Sequence, residues 1–238
     1  MRASSSDLPI GFENVSYSAG GTRILNGLSF VIVKGGPAVI LGPNGSGKTT
    51  ALKLAMGLIQ PASGRITWGA RERTDFSRRA FVFQRPVMLR RTAGANVAFA
   101  LRAAGRPPTG TRIRQLLDEV GLGSLASRPA RKLSAGEQQR LALAKAMARE
   151  PEILFLDEPT ANLDPSATKA VEEFIRISYL RGTKIVMATH DLAQARRLGA
   201  YILFLVDGRL IEHGPPCDFF EQPKTPEAKR FISGELVA

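Results

Sequence analysis

The stretch from Gly42 to Thr50 constrains the fold of this chain more than any other, because it reads Gly-Pro-Asn-Gly-Ser-Gly-Lys-Thr-Thr. An apolar run typical of a strand, residues 38–41, precedes it, and a run typical of a helix, residues 50–56, follows it. This is the context in which the pattern G-x-x-x-x-G-K-[ST] forms a phosphate-binding loop. The N–H groups of such a loop surround an anion, and the helix dipole adds positive potential. The segment therefore predicts a strand, loop and helix that bind phosphate.

Each position of this phosphate loop is a predicted nucleotide contact. Lys48 would reach the β- and γ-phosphates, and the Thr49 hydroxyl would hold Mg²⁺. The alternative interpretation is a glycine-rich turn that precedes Lys-Thr by chance. We expect ATP to bind through the whole loop, which consists of Gly42, Pro43, Asn44, Gly45, Ser46, Gly47, Lys48, Thr49 and Thr50.

Composition narrows the class of protein. Hydrophobic residues make up 44% of the 238 residues, which is enough for a sizeable core. The single cysteine, Cys217, excludes an internal disulfide and a cysteine metal cluster. Residues 1–9 lack the apolar region of a secretory signal, and no run approaches the roughly 18 apolar residues of a membrane span. We therefore expect a chain that is soluble on its own.

The net charge of +12 is the other notable property of the composition. Such a surface is attracted to nucleic acid or to an anionic membrane leaflet. The arginines are scattered in short groups, without a basic tail or interleaved aromatic residues. We interpret most of the charge as a solvated face, with proximity to a membrane as its functional meaning, and expect no nucleic acid as a partner.

The chain divides into three stretches by pattern. Residues 10–18, 28–33, 38–41, 65–68 and 80–83 are predicted strands, with turns at 20–21 and 61–64. From about 85 to 149 the pattern is helical, over 93–104, 111–120 and 135–149. The last third alternates strands (153–156, 184–189, 201–206 and 210–213) with helices (166–180 and 191–198). Strands alternating with helices predict a parallel α/β sheet, with the helical stretch inserted between core strands.

Two adjacent acids follow a strongly apolar predicted strand. Asp157 and Glu158 come directly after residues 153–156, and ligands bind at the carboxyl ends of strands in open α/β sheets. Asp157 there is a predicted Mg²⁺ site, and Glu158 could polarise a water for attack on the γ-phosphate. Adjacent acids at a strand end are also common surface features, so the phosphate loop is what favours the catalytic interpretation.

A second anion site is predicted at the start of the long helix, residues 135–149. Ser134 is a natural N-cap, and Glu137 three residues later completes a capping box, which is the structural explanation. The same geometry would let the Ser134 hydroxyl and the Gly136 N–H bind phosphate. One chain could not easily place two such sites on one phosphate, so the functional interpretation requires a partner that binds in trans.

Taken in order, these features resemble those of the ATP-binding cassette (ABC) ATPases, over nearly the whole chain. Gly42–Thr49 match the Walker A loop, and residues 133–138 match the signature, with Ala135 and Glu137 in place of its usual glycine and glutamine. The other matches are Tyr17 (adenine stacking), Gln84 (Q-loop), Asp157 (Walker B), Glu158 (catalytic glutamate), residues 162–164 (D-loop) and His190 (switch histidine).

The resemblance implies a single nucleotide-binding domain, residues 1–238. It would be an α/β P-loop core with an N-terminal antiparallel β subdomain and an inserted α-helical subdomain at about 85–149. Glu158, His190 and Gln84 would be catalytic, Gln84 would also touch the metal, and Tyr17 would stack on adenine. Considered alone, Tyr17 is more typically a core residue, and His190 a structural histidine.

The resemblance also implies an assembly. Two copies would form an ATP-dependent head-to-tail dimer, bound to integral membrane permease subunits at the cytoplasmic face of the inner membrane, with an extracytoplasmic solute-binding protein. An apolar patch at 87–89, between arginines, is the expected docking surface, unless those residues simply pack the helices. By analogy, we expect import of an oxyanion such as tungstate. The alternatives are amino-acid import, lipid or lipoprotein export, and a soluble nucleic-acid-associated ATPase.

Overall fold

The structure is a computed structural model that describes residues 6–69, 71–72 and 76–235. The chain forms two compact units. The first comprises Met1–Phe76 and Lys184–Ala238, and the second comprises Ser77–Thr183. None of the described helices is both long and apolar enough to cross a membrane.

Strands and helices alternate along most of the chain. The first half contains β1 (Ile10–Ala19), β2 (Thr22–Ile32), β3 (Ala38–Leu41), α1 (Lys48–Met56), β4 (Ser63–Trp68), β5 (Arg79–Val82), α2 (Ala93–Ala103) and α3 (Gly110–Asp118). The second half contains α4 (Ala135–Met147), β6 (Ile153–Asp157), α5 (Pro165–Leu180), β7 (Lys184–Thr189), α6 (Leu192–Leu198), β8 (Tyr201–Val206), β9 (Arg209–Gly214), α7 (Pro216–Glu221) and α8 (Pro226–Ile232).

The first unit contains an antiparallel sheet in the order β2-β1-β4 and a second group of strands around β3. Strand β3 pairs in parallel with β7 on one side and β8 on the other, and β9 adds to β8 in antiparallel orientation. Both β3 and β7 are buried along their whole length. Burial on both faces explains their nearly continuous apolar sequences, which are typical of central parallel strands.

The second unit pairs β5 with β6 in parallel and carries the helices α2 to α5. Strand β6 is buried over all five residues. Helix α4 packs against β5 and against its neighbours α2, α3 and α5. In chain order, α2, α3 and α4 lie between β5 and β6, as the helical pattern predicts.

The elements predicted from the sequence are confirmed, with differences at their ends. Strand β2 begins at Thr22 rather than at 28, because it continues the hairpin from β1. Strand β4 begins at Ser63, inside the predicted turn. Helices α7 and α8 were not predicted. The rings of Phe219 on α7 and Phe231 on α8 lie 5.3 Å and 5.1 Å from the ring of Phe204 on β8, so long-range aromatic packing rather than a local pattern holds both helices.

Candidate nucleotide-binding site

The phosphate loop connects β3 to α1 in the first unit. Gly47 is the N-cap of α1 with φ of 95°, a conformation that favours glycine. A Cβ at Gly47 would lie 2.5 Å from Cδ2 of Leu25, so the loop also has no room for a side chain there. Glycine at this position therefore serves both the turn of the loop and its close packing on β2.

Two side chains of the loop suit a phosphate ligand. Lys48 is 5% exposed, and its ammonium donates hydrogen bonds to the carbonyls of Gly42 (3.0 Å) and Pro43 (2.8 Å). It is thereby folded back over the loop that contains it. Ser46 is 1% exposed, and its Oγ has no hydrogen-bond partner among the described residues. A buried hydroxyl without a partner is costly unless a ligand satisfies it, so the loop fits a phosphate group.

The strand register places His190 at the same edge as the phosphate loop. Leu41 pairs with Thr189 at the carboxyl ends of β3 and β7. Gly42 and His190 are the next residues of the two strands, so the loop and the histidine leave neighbouring parallel strands at the same level. The Thr189 hydroxyl accepts a hydrogen bond from the Asp191 N–H (3.1 Å), which fixes the turn after His190.

Tyr17 lies on β1 opposite Leu25 of β2, and its side chain is partly buried. Leu25 is the residue whose side chain packs on Gly47, so the hairpin that carries Tyr17 contacts the phosphate loop through Leu25. The turn between β8 and β9 supports the loop from another direction, because the Gly208 N–H donates to the carbonyl of Ser46 (3.2 Å).

Gln84 and Glu158 meet in the second unit. Val82 pairs with Leu156, so Gln84 and Glu158, which each lie two residues further along the chain, reach the same edge. The Gln84 side-chain amide donates to Oε2 of Glu158 over 3.2 Å. Asp157, the last residue of β6, is 5% exposed. Glu158 has φ of 44°, so the chain turns sharply there and gives the two adjacent acids different directions.

Ser134 and Gly136 open α4 in the same unit. The predicted capping box is present, since the Ser134 Oγ accepts from the Glu137 N–H (3.2 Å) and the Glu137 carboxylate accepts from the Ser134 N–H (2.7 Å). A Cβ at Gly136 would lie 2.5 Å from the Cβ of Ala167 on α5. Helix packing is thus a structural reason for this glycine, independent of any ligand. The Ser134 hydroxyl keeps its proton available for donation.

The segment after Gln84 differs from the predicted apolar patch. Val87 is 76% exposed, Leu89 is partly buried, and Met88 is only 5% exposed. The prediction that Met88 is exposed is therefore wrong. The segment is irregular rather than helical, so its side chains alternate between solvent and core, and Met88 takes the core position.

Side chains from other elements hold this segment, and they were not predicted from the sequence. Asn96 on α2 is fully buried, and it accepts from the Leu89 N–H (3.0 Å) and donates to the carbonyl of Thr92 (3.0 Å). Lys145 on α4 donates to the carbonyl of Val87 (2.8 Å). Local sequence patterns carry no signal for Lys145, because it lies far from residue 87 in the chain.

Comparison with known proteins gives a consistent result. Residues 25–161 match the family described as ABC transporter. The chain is 39% identical to the phosphate import ATP-binding protein PstB 2 of Natronomonas pharaonis, over 94% of this chain and 86% of that protein. It is 36% identical to the tungstate uptake system ATP-binding protein TupC of Peptoclostridium acidaminophilum, over 86% of this chain and 98% of that protein. The solved structure of cbiO1 from Clostridium perfringens, part of the transporter complex cbiONQ, matches with a TM-score of 0.78, at 29% identity over 90% of each chain.

Proposed function

We propose, because this chain belongs to the ABC transporter family of ATPases, that it hydrolyses ATP to drive the import of an oxyanion. The observation that carries the proposal is the hydrogen bond between Gln84 and Glu158 at the carboxyl edge of β5 and β6. It holds a carboxylate and a side-chain amide together next to Asp157, and a carboxylate can deprotonate an attacking water that an amide orients.

The candidate residues divide the chemistry among them. Glu158 accepts the proton of the attacking water, Gln84 orients that water, and His190 contacts the γ-phosphate. The loop residues 42–50 bind the phosphates, and Tyr17 stacks on the adenine. Thr49, Gln84 and Asp157 would hold Mg²⁺, which neutralises phosphate charge when bound. Positioning and charge neutralisation provide most of the rate enhancement in phosphoryl transfer.

The second anion site would act in a dimer of two copies of the chain. Ser134 and Gly136 of a second copy would bind the γ-phosphate held by the first copy. ATP then joins two surfaces, and its loss on hydrolysis lets them separate. A ligand shifts such an equilibrium only by its differential affinity for the two states, and the bridging phosphate provides that difference.

Permease subunits are the proposed membrane partners. Val87 stands 76% exposed three residues after Gln84, and Phe83 (45%) and Phe99 (47%) are also exposed apolar side chains of this unit. Exposed apolar residues of this kind suit a helix of a partner. The net charge of +12 favours a position against an anionic leaflet. We therefore assign the chain to the cytoplasmic face of the inner membrane, as a peripheral subunit served by an extracytoplasmic solute-binding protein.

The proposed solute is an oxyanion. The names of the phosphate and tungstate relatives support an oxyanion. Amino-acid import and lipid or lipoprotein export use the same ATPase unit, so they stay as alternatives. A soluble nucleic-acid-associated ATPase is disfavoured, because the basic residues form no long tail or stripe.

The test uses the complex rather than the isolated chain. Permease subunits that co-purify with the tagged chain would be reconstituted in liposomes with the solute-binding protein, and ATP hydrolysis measured with tungstate, phosphate or methionine in turn. Stimulation by an oxyanion and not by methionine is the expected result. Stimulation by methionine alone would exclude oxyanion import and leave the ATPase assignment intact.

A further inference from the structure

The segment from Arg85 to Arg91 has little regular backbone pairing, so other groups must satisfy its N–H and C=O groups. The carbonyl of Val87 accepts from the Lys145 ammonium at 2.8 Å, and the carbonyl of Met88 accepts from Arg131 Nε at 3.4 Å. The side-chain oxygen of Asn96 accepts a hydrogen bond from the Leu89 N–H. The position of the segment therefore depends on side chains of α4, α2 and the turn before α4.

Lys145 differs from the other two anchors in its electrostatics. Its hydrogen bond to the Val87 carbonyl is its only polar contact among the described residues, and no carboxylate pairs with it. Burial lowers the pKa of its ammonium. The last turn of α4 provides partial compensation, because a helix C-terminus favours a cation. An apolar side chain of the same length would avoid this desolvation cost, so packing alone does not explain a lysine here.

The hydrogen bond from Lys145 to Val87 lies near residues that have proposed functions. Val87 is the most exposed large apolar side chain of the described residues, and Gln84, three residues earlier, bonds to Glu158. Ser134 is the N-cap of α4, eleven residues before Lys145, which corresponds to roughly 16 Å along a helix at 1.5 Å per residue. This hydrogen bond thus joins the segment that directly follows Gln84 to the helix that Ser134 caps.

We propose that Lys145 is a positioning residue: its ammonium fixes the segment 85–91 to α4 and so holds Gln84 in place against Glu158. The inference rests on the proposed ATPase function, which it deepens. Lys145 does not touch the reacting groups. It limits the motion of the segment 85–91, which contains the exposed Val87 and directly follows Gln84.

The variant Lys145→Met keeps the length of the side chain and removes the ammonium. Amide hydrogen exchange of the isolated chain, followed by mass spectrometry, should show protection of residues 85–91 falling by about tenfold, because the segment opens locally. The kcat for ATP should fall by about fivefold or more, while KM changes by less than about twofold, because the phosphate loop is unaltered. Lys145→Arg should restore both, since a guanidinium can also donate to the Val87 carbonyl.

Lys169→Met is the matched control, because Lys169 is an exposed lysine of α5 in the same unit. It should change neither exchange nor kcat. Unchanged exchange in Lys145→Met would overturn the proposal, and so would faster exchange with unchanged kcat. A fall in melting temperature that Lys145→Arg fails to reverse would show a merely structural role. If the wild-type chain hydrolyses no ATP, the proposed function fails, and the exchange measurement still decides whether Lys145 holds the segment.

Discussion

The side-chain amide of Gln84 donates a 3.2 Å hydrogen bond to the carboxylate of Glu158, although 74 residues separate them in the chain. The parallel register of β5 and β6 produces this meeting, because Val82 and Leu156 are paired and each strand ends at the same edge. A carboxylate held by an amide donor is oriented while remaining a proton acceptor.

Lys48→Ala should weaken ATP binding by about 10- to 100-fold, since charge-assisted hydrogen bonds contribute about 1.5–3 kcal/mol. Isothermal titration calorimetry of the isolated chain would measure this change. Lys53→Ala is the control, because Lys53 lies on the same helix α1, outside the loop. Equal affinity for ATP in Lys48→Ala and Lys53→Ala would show that the loop does not bind phosphate.

Ser134 has two expected roles that a pair of variants separates. Ser134→Ala and Thr92→Ala each remove an N-cap, of α4 and α2, so each should lower the free energy of unfolding by about 1 kcal/mol. Only the Ser134 variant should also weaken the ATP-dependent dimer, and Ser134→Arg should block it while ATP binding to the loop persists. Size-exclusion chromatography with and without ATP measures the dimer. A dimer equally stable without nucleotide would argue against the trans site.

Val87 and Met88 should respond in opposite ways. Val87→Asp places a charge on an exposed surface, so stability should change by less than about 0.5 kcal/mol, and capture of permease subunits should fall. Met88→Ala truncates a buried side chain and should cost about 2–4 kcal/mol in thermal or denaturant unfolding. Val31→Asp, at an exposed valine of β2, is the control for capture. Loss of capture in both valine variants would remove the assignment of the docking surface.

Lys184 should make stability depend on pH. The ammonium of Lys184 donates a hydrogen bond to the carbonyl of Gly36. Burial lowers the pKa of this ammonium to about 8. Between pH 8 and the ordinary lysine pKa of 10.5, the unfolded chain therefore binds more protons than the folded chain. The contribution of Lys184 to the free energy of unfolding should rise by about 1–3 kcal/mol over that interval. Denaturant unfolding of wild type and Lys184→Met at several pH values measures it as a difference, and a pH-independent difference would contradict the assignment.

The local elements of the candidate site could be predicted from the sequence, but the segments around them could not. The loop from Gly42 to Thr50 and the capping box at Ser134 are local patterns, and apolar runs identify buried strands, so these features were predictable. The buried state of Met88 was not, because an irregular segment has no period from which to read its inward side. Nor were helices α7 and α8, which long-range contacts hold. The backbone of Lys224 and Thr225, at the start of α8, donates to the carboxylate of Glu212.

Glu158→Gln tests the central claim most directly, because it removes the proton acceptor and leaves the shape of the side chain almost unchanged. Loss of a general base costs about 10²- to 10⁴-fold in rate, which corresponds to roughly 3–5 kcal/mol of barrier. The measurement is the turnover of ATP by the variant, with the oligomeric state followed by size-exclusion chromatography in ATP and Mg²⁺. The account predicts turnover lowered by that factor, unchanged ATP affinity and an accumulated ATP-bound dimer. Hydrolysis by Glu158→Gln at the wild-type rate would contradict the assignment of Glu158 as the catalytic base.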